Sequence, residues 1–132
     1  MIDMTATLRT TIELESPEQR GYRVALHGVL VDADATLSWL PATVLHELGI
    51  APKKLWHFRQ ADGTELARST GYAIVHVAGT QTSDEIVFGE PGDVVLLGAR
   101  SLGGLNLRVE PATKRLVDAG PAPAAASFHS SP

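Results

Sequence analysis

At 132 residues with a 44% apolar fraction, the chain is long enough for one domain with its own core and too short for a two-lobed enzyme. It has no cysteine, which excludes a disulfide framework, a thiol nucleophile and a thiolate metal site. A net charge of −4 with dispersed Lys and Arg offers no positive stripe to a phosphate backbone, so nucleic acid is not an expected partner.

From the start of the chain, Met1 to Thr11 lacks the basic opening and apolar core of a signal peptide. No apolar run approaches the roughly 20 residues of a membrane helix, so no membrane partner and a cytoplasmic location are expected. Leu8, Ile12 and Leu14 share one parity, as do Tyr22, Val24 and Leu26 beyond Ser16-Pro17, which predicts a hairpin of two half-buried strands. Pro41 suits the first position of a short helix, with Val44, Leu45 and Leu48 on one face and Gly49 at its end. Trp56 and Phe58 then alternate with His57 and Arg59 before Asp62-Gly63, a strong hairpin-turn dipeptide, and Glu65 to Arg68. The neighbourhoods of Tyr72, Ile74 and Val77, then Glu85 to Phe88 and Val94 to Leu97, read as further strands punctuated by Ala78-Gly79 and Gly89 to Asp93. A helical turn after Gly98 runs through Leu102 and is expected to stop at Gly103-Gly104, and Leu107 to Glu110 pairs with Arg115 to Val117. The expected class is mainly β with one or two short helices. Beyond residue 118, Pro, Ala and Ser offer little apolar surface to offset ordering entropy, so 119–132 is expected to be a flexible tail on a 1–118 domain.

The chemistry concentrates where the apolar run Val29-Leu30-Val31 delivers Asp32 into Ala33-Asp34-Ala35-Thr36. A second apolar run, Val94 to Leu97, ends in Gly98, and Trp39-Leu40-Pro41 with the short helix lies between the two. This order of parts, from about Leu26 to Val117, resembles the retropepsin-like aspartic proteases, which carry an apolar-Asp-Thr/Ser-Gly-Ala loop and a later apolar-apolar-Gly. The resemblance implies a one-lobed acid-protease barrel without metal or cofactor, a peptide or protein substrate, and Asp32 as the catalytic carboxylate. It further implies substrate contacts from Ala33, Asp34 and Ala35 in the loop and from Ala61, Asp62 and Gly63 at the tip of a flap hairpin. Aspartic-protease chemistry needs two carboxylates that share one proton and polarise a water. Asp62, Asp84 and Asp93 all read as turn-like polar positions, so the second Asp is expected from a second copy across a two-fold axis, making a homodimer.

The loop departs from the family at two positions. Ala33 replaces the Thr or Ser whose hydroxyl braces the partner loop, and Asp34 replaces the Gly, adding a β-carbon and a charge. At about 4 Å and an effective dielectric of about 20, one extra like charge costs about 4 kcal/mol. The resemblance therefore implies peptide hydrolysis that is weak or lost in this form, and a catalytically silent domain that dimerises and binds an extended peptide is one alternative. Asp32-x-Asp34-x-Thr36 also matches the nucleophile loop of Mg-dependent haloacid-dehalogenase-like phosphatases, a second alternative. That family calls for a parallel sheet of strand-helix-strand units and a later acidic pair. No Gly-x-Ser-x-Gly occurs, and His27, His46, His57, His76 and His129 lack zinc spacing and read as surface or strand residues. Trp39 and Trp56 read as core or interface aromatics.

Overall fold

The computed structural model describes residues 8–124. The final eight residues of the expected tail and the first seven of the chain lie outside these described residues, as does His129. The strands are β1 (Arg9–Ser16), β2 (Gln19–Val31), β3 (Ser38–Pro41), β4 (Lys54–Arg59), β5 (Glu65–Val77), β6 (Thr80–Gly89), β7 (Leu96–Leu97), β8 (Leu107–Glu110) and β9 (Arg115–Asp118). The helices are α1 (Ala42–Glu47) and α2 (Ala99–Leu105). The fold is thus mainly β with two short helices, as expected.

Seven strands form one sheet in the order β1-β2-β7-β3-β6-β5-β4, and a further pairing of β1 with β5 closes six of them into a ring that leaves β4 outside. Most pairings are antiparallel, but β2–β7 and β3–β6 are parallel. The β1–β2 hairpin has the expected alternation at Ile12 and Leu14, fully buried, and at Val24 and Leu26, half-buried, but Tyr22 is exposed near the hairpin turn, where its hydroxyl donates to Glu47. Its register shifts near Gly28, whose φ of +67° supplies a left-handed residue that a β-carbon would strain. The long strand β5 is shared: its first half pairs with β4, and its Ile74 to His76 pair with β1. Gly71 stands between the two halves, where a β-carbon would lie 2.7 Å from the Ala51 carbonyl oxygen.

The core inside the ring gathers Ile12, Leu14, Val29, Val31, Leu40, Val75, Val77, Ile86 and Leu97, with α1 adding Leu45 and the residues after it adding Leu48. Full burial of a leucine side chain stabilises by about 1.5–3 kcal/mol, so α1 is held by packing more than by its own propensity. Pro41 turns out to be the residue before the helix rather than its first, because it still pairs with Gly89 as the end of β3. The segment Val94 to Leu97 contributes only Leu96 and Leu97 as strand, since Val94 is exposed and Val95 half-buried as they leave the Gly89–Asp93 turn. α2 does not stop at Gly103-Gly104. It passes through them because Gly104 lies against the Thr82 side chain, where any β-carbon would clash, and it ends at Asn106 in the left-handed conformation.

Candidate functional site

The β2 strand ends by handing Asp32 to a turn. Val31 pairs in parallel with Leu97, and the Asp32 amide donates to the Leu97 carbonyl at 2.9 Å. The Ala35 amide donates back to the Asp32 carbonyl at 3.2 Å, closing a β-turn across Ala33 and Asp34. Within it the Asp34 amide donates to Asp32 Oδ1 at 3.0 Å. A backbone N–H is therefore aimed at the Asp32 carboxylate although the glycine of the family pattern is absent. Asp34 is not in the left-handed region, so the backbone here does not require glycine, and Asp34 and Ala33 are exposed while Asp32 and Ala35 are half-buried. The expected crowding by Asp34 is thus not seen in the single chain; its charge remains.

The loop is locked to the start of α2, more than sixty residues later in sequence. The Ala99 amide donates to the Ala35 carbonyl at 2.7 Å and the Arg100 amide to the Thr36 carbonyl at 3.0 Å. Gly98 makes this possible: a β-carbon there would lie 2.5 Å from the Leu37 carbonyl oxygen and 2.9 Å from that of Ala35. Beneath it runs a buried chain of hydrogen bonds with one direction. The Gly98 amide donates to Ser38 Oγ at 2.9 Å, the Ser38 and Ser101 hydroxyls lie 2.6 Å apart, and Ser101 Oγ donates to Asp84 Oδ2 at 2.8 Å. Asp84, expected in a turn, is instead a buried β6 residue whose Oδ1 also accepts from the Glu85 amide. Sequence reading missed Ser38, Ser101 and Asp84; the signal available was an acidic residue directly preceding the apolar run Ile86-Val87-Phe88.

The hairpin β4–β5 rises opposite. Its registered pairs Trp56↔Arg68 and Phe58↔Leu66 put these four side chains on one face. The connection from Gln60 to Thr64 is closed by the Gln60 amide on the Thr64 carbonyl and the Gly63 amide on the Gln60 carbonyl, with Gly63 left-handed at φ +89°. Asp62 Oδ1 accepts from the Thr64 hydroxyl and amide, which hold its carboxyl below the usual range.

Between hairpin and loop lies a cleft of about 510 Å³. Ala35, Thr36 and Trp39 line one side, Trp56, Phe58 and Leu66 another, and Gly92 to Val94 a third. Trp39 and Phe58 meet with ring centroids 4.8 Å apart, and Trp56 stacks on Phe58 at 5.8 Å. Trp39 and Trp56, read from sequence as core or interface aromatics, are not core: both are half-buried and line the cleft. Of the residues named from the resemblance, Ala35 lines the cleft; Asp32, Ala33 and Asp34 lie in its adjoining turn, and Ala61, Asp62 and Gly63 lie at the hairpin tip beyond Arg59 and Gln60.

Two carboxylates anchor the hairpin. Glu85 Oε2 accepts from Trp56 Nε1 at 2.8 Å and from the Thr70 hydroxyl at 2.6 Å. Burial pushes the Glu85 carboxyl up, but the bonds from Thr70 and Trp56 and the charges of Lys54 and Arg100 outweigh it and hold the group below the usual range. Asp93 receives Arg68 through two parallel bonds, Nε to Oδ2 at 2.8 Å and NH2 to Oδ1 at 3.0 Å, and these hold its carboxyl low as well. At the far end of the ring, buried Glu15 accepts from the Gly21 amide, His76 and Arg20, and its carboxyl is lowered to about 2.

No protein-family model matches the chain, and no curated protein matches it. Among solved structures it is similar to the solution structure of the simian foamy virus (mac) protease, with 21% identity, a TM-score of 0.47, and coverage of 71% of this chain and 92% of that one. Among the described residues, no helix is long and apolar enough to cross a membrane.

Proposed function

We propose that this chain is a retropepsin-like aspartic peptidase of low activity, in which Asp32 from each of two copies forms a proton-sharing dyad and the aromatic cleft receives an extended peptide. One observation carries the reading: Asp32 leaves a strand end in a turn locked to the Gly98–α2 junction, next to a cleft roofed by a hairpin. One carboxylate of this kind is half of a catalytic unit, and a two-fold axis supplies the other half without any further encoded residue. The Asp34 amide on Asp32 Oδ1 supports a carboxylate oriented for that role. Low activity follows from Ala33, which has no hydroxyl to brace a partner loop, and from Asp34, which adds a negative charge where two Asp32 groups would meet.

The alternative phosphatase reading calls for a parallel sheet with helical crossovers, whereas most pairings here are antiparallel and the two helices among the described residues are short. The silent peptide-binding reading differs from ours only in turnover. The test is the double change Ala33→Thr with Asp34→Gly, assayed on a mixed peptide library at acid and neutral pH. Cleavage is expected to rise at least about tenfold, the effect of relieving about 1.4 kcal/mol of repulsion. Adding Asp32→Asn is expected to abolish it. A restored protein that stays inert while binding peptide leaves the silent reading; hydrolysis of a phosphate ester with Mg²⁺ by the original chain would establish the phosphatase.

A further inference from the structure

The hairpin that roofs the cleft has a root built unlike its tip. Arg68 shares a face with Trp56, Phe58 and Leu66, so it points to the cleft side of the hairpin. There it meets Asp93, at the end of the Gly89–Asp93 turn that forms another cleft wall. The pair is largely removed from water, with the Arg68 side chain 15% exposed and that of Asp93 16%. Further contacts surround it: Arg68 NH1 donates to the Ala67 carbonyl at 2.9 Å and lies 3.8 Å from Glu90, and Asp93 Oδ2 also accepts from the Glu90 amide at 2.8 Å. A desolvated, two-pronged pair backed by further hydrogen bonds is the kind that resists loosening. At the tip, by contrast, the Arg59–Glu65 pair and Ala61 to Thr64 are exposed.

We propose that Arg68 and Asp93 are positioning residues that strut the hairpin against the Gly92–Val94 wall, so that the aromatic face of the cleft is preformed and only the tip beyond the Arg59–Glu65 pair moves. The inference rests on the reading of this cleft as the peptide site, for which it sets the width of the slot. The bidentate geometry ties β5 at Arg68, and with it the backbone of its direct cross-strand partner Trp56, to the Gly92–Val94 wall, while the Trp56 ring is held by Glu85 and packs through Phe58 toward Trp39. A ligand then has less wall to order on entry, which favours affinity through pre-organisation.

The experiment uses the chain's own tryptophans. There are two, Trp39 and Trp56, and both line the cleft, so acrylamide quenching of intrinsic fluorescence reads the exposure of its walls without any substrate. Arg68→Gln and Asp93→Asn are each expected to raise quenching and to speed amide exchange from Trp56 to Leu66 by about tenfold, the effect of losing a charged hydrogen-bonded pair. Exchange in the core strands around Val75 and Ile86 is expected to stay slow, which separates loosening of one wall from general destabilisation. The charge swap Arg68→Asp with Asp93→Arg is expected to return both readouts toward the original. Unchanged quenching and exchange in the single variants would overturn the strut, and so would a swap that stays loose. If the single variants unfold altogether, the swap decides by the same readouts. None of these measurements needs turnover, so an Ala33→Thr with Asp34→Gly protein that cleaves no peptide would refute the peptidase reading and leave the strut standing.

Discussion

The Asp32 loop and the β4–β5 hairpin face each other across one cleft but are held by different physics. Around the loop the restraints are backbone hydrogen bonds to Leu97, Ala35 and Thr36, a glycine contact with no room for a β-carbon, and a buried hydroxyl chain ending on Asp84. Around the hairpin they are side-chain anchors on two carboxylates, Glu85 and Asp93, and a stack of aromatic rings. Backbone restraints place an atom. Side-chain anchors place a surface and can be released one at a time.

The largest test of this contrast is Gly98→Ala. Its φ of −98° is open to any residue, so the expected cost is purely the clash with the Leu37 and Ala35 carbonyls. Overpacking at so tight a point should destabilise by about 3 kcal/mol or more, read as a lower urea midpoint. A variant as stable as the original would show that the loop and α2 are free to separate. Next comes Ser101→Ala, which leaves Asp84 Oδ2 and the Ser38 hydroxyl without their shared partner in a buried place. A loss of about 1–3 kcal/mol is expected, together with faster exchange at the Ala35 and Ala99 amides and none at Trp56.

Acidification should separate the two regions by pH. Glu85 and Asp93 have folded-state values below their ordinary ones, so the stability they contribute is present above the ordinary carboxylate range and is lost as pH falls through their lowered values. Glu15 behaves likewise, its contribution draining between its ordinary 4.5 and about 2. Exchange in the hairpin is expected to accelerate across the acid range before that of the Asp32 and Ala99 amides. Simultaneous acceleration would mean that the two regions open as one unit. The smallest effect is expected from Asp62→Ala, which removes the two bonds to Thr64 at an exposed tip. Exchange at Thr64 should quicken while the urea midpoint and tryptophan quenching stay unchanged.

Much of the fold was legible because period-two alternation and turn chemistry are local. Ile12 and Leu14 in the first hairpin, Gly63 in the hairpin connection and Gly49 after α1 all sit where their residue types lead one to expect. The errors share a cause. Gly103-Gly104 reads as a helix stop, yet Gly104 serves a close approach to Thr82, a contact between distant segments. Asp84 reads as a turn residue, yet Ser101 gives it a buried partner seventeen positions away. Trp39 and Trp56 read as core or interface aromatics, and neither is core: the hairpin carries one of them over the other's neighbourhood to form a cleft.

What the sequence alone determined is therefore most of the strands (β3 excepted), the two helical turns and the carboxylate delivered at a strand end, since each follows from side-chain spacing and the local freedom of glycine and proline. What only the tertiary structure decided is the company that carboxylate keeps. The lock to Gly98, the one-way hydroxyl chain to Asp84 and the Arg68–Asp93 strut all join residues far apart in the chain, and their strength comes from desolvation, which exists only once the strands have closed around them.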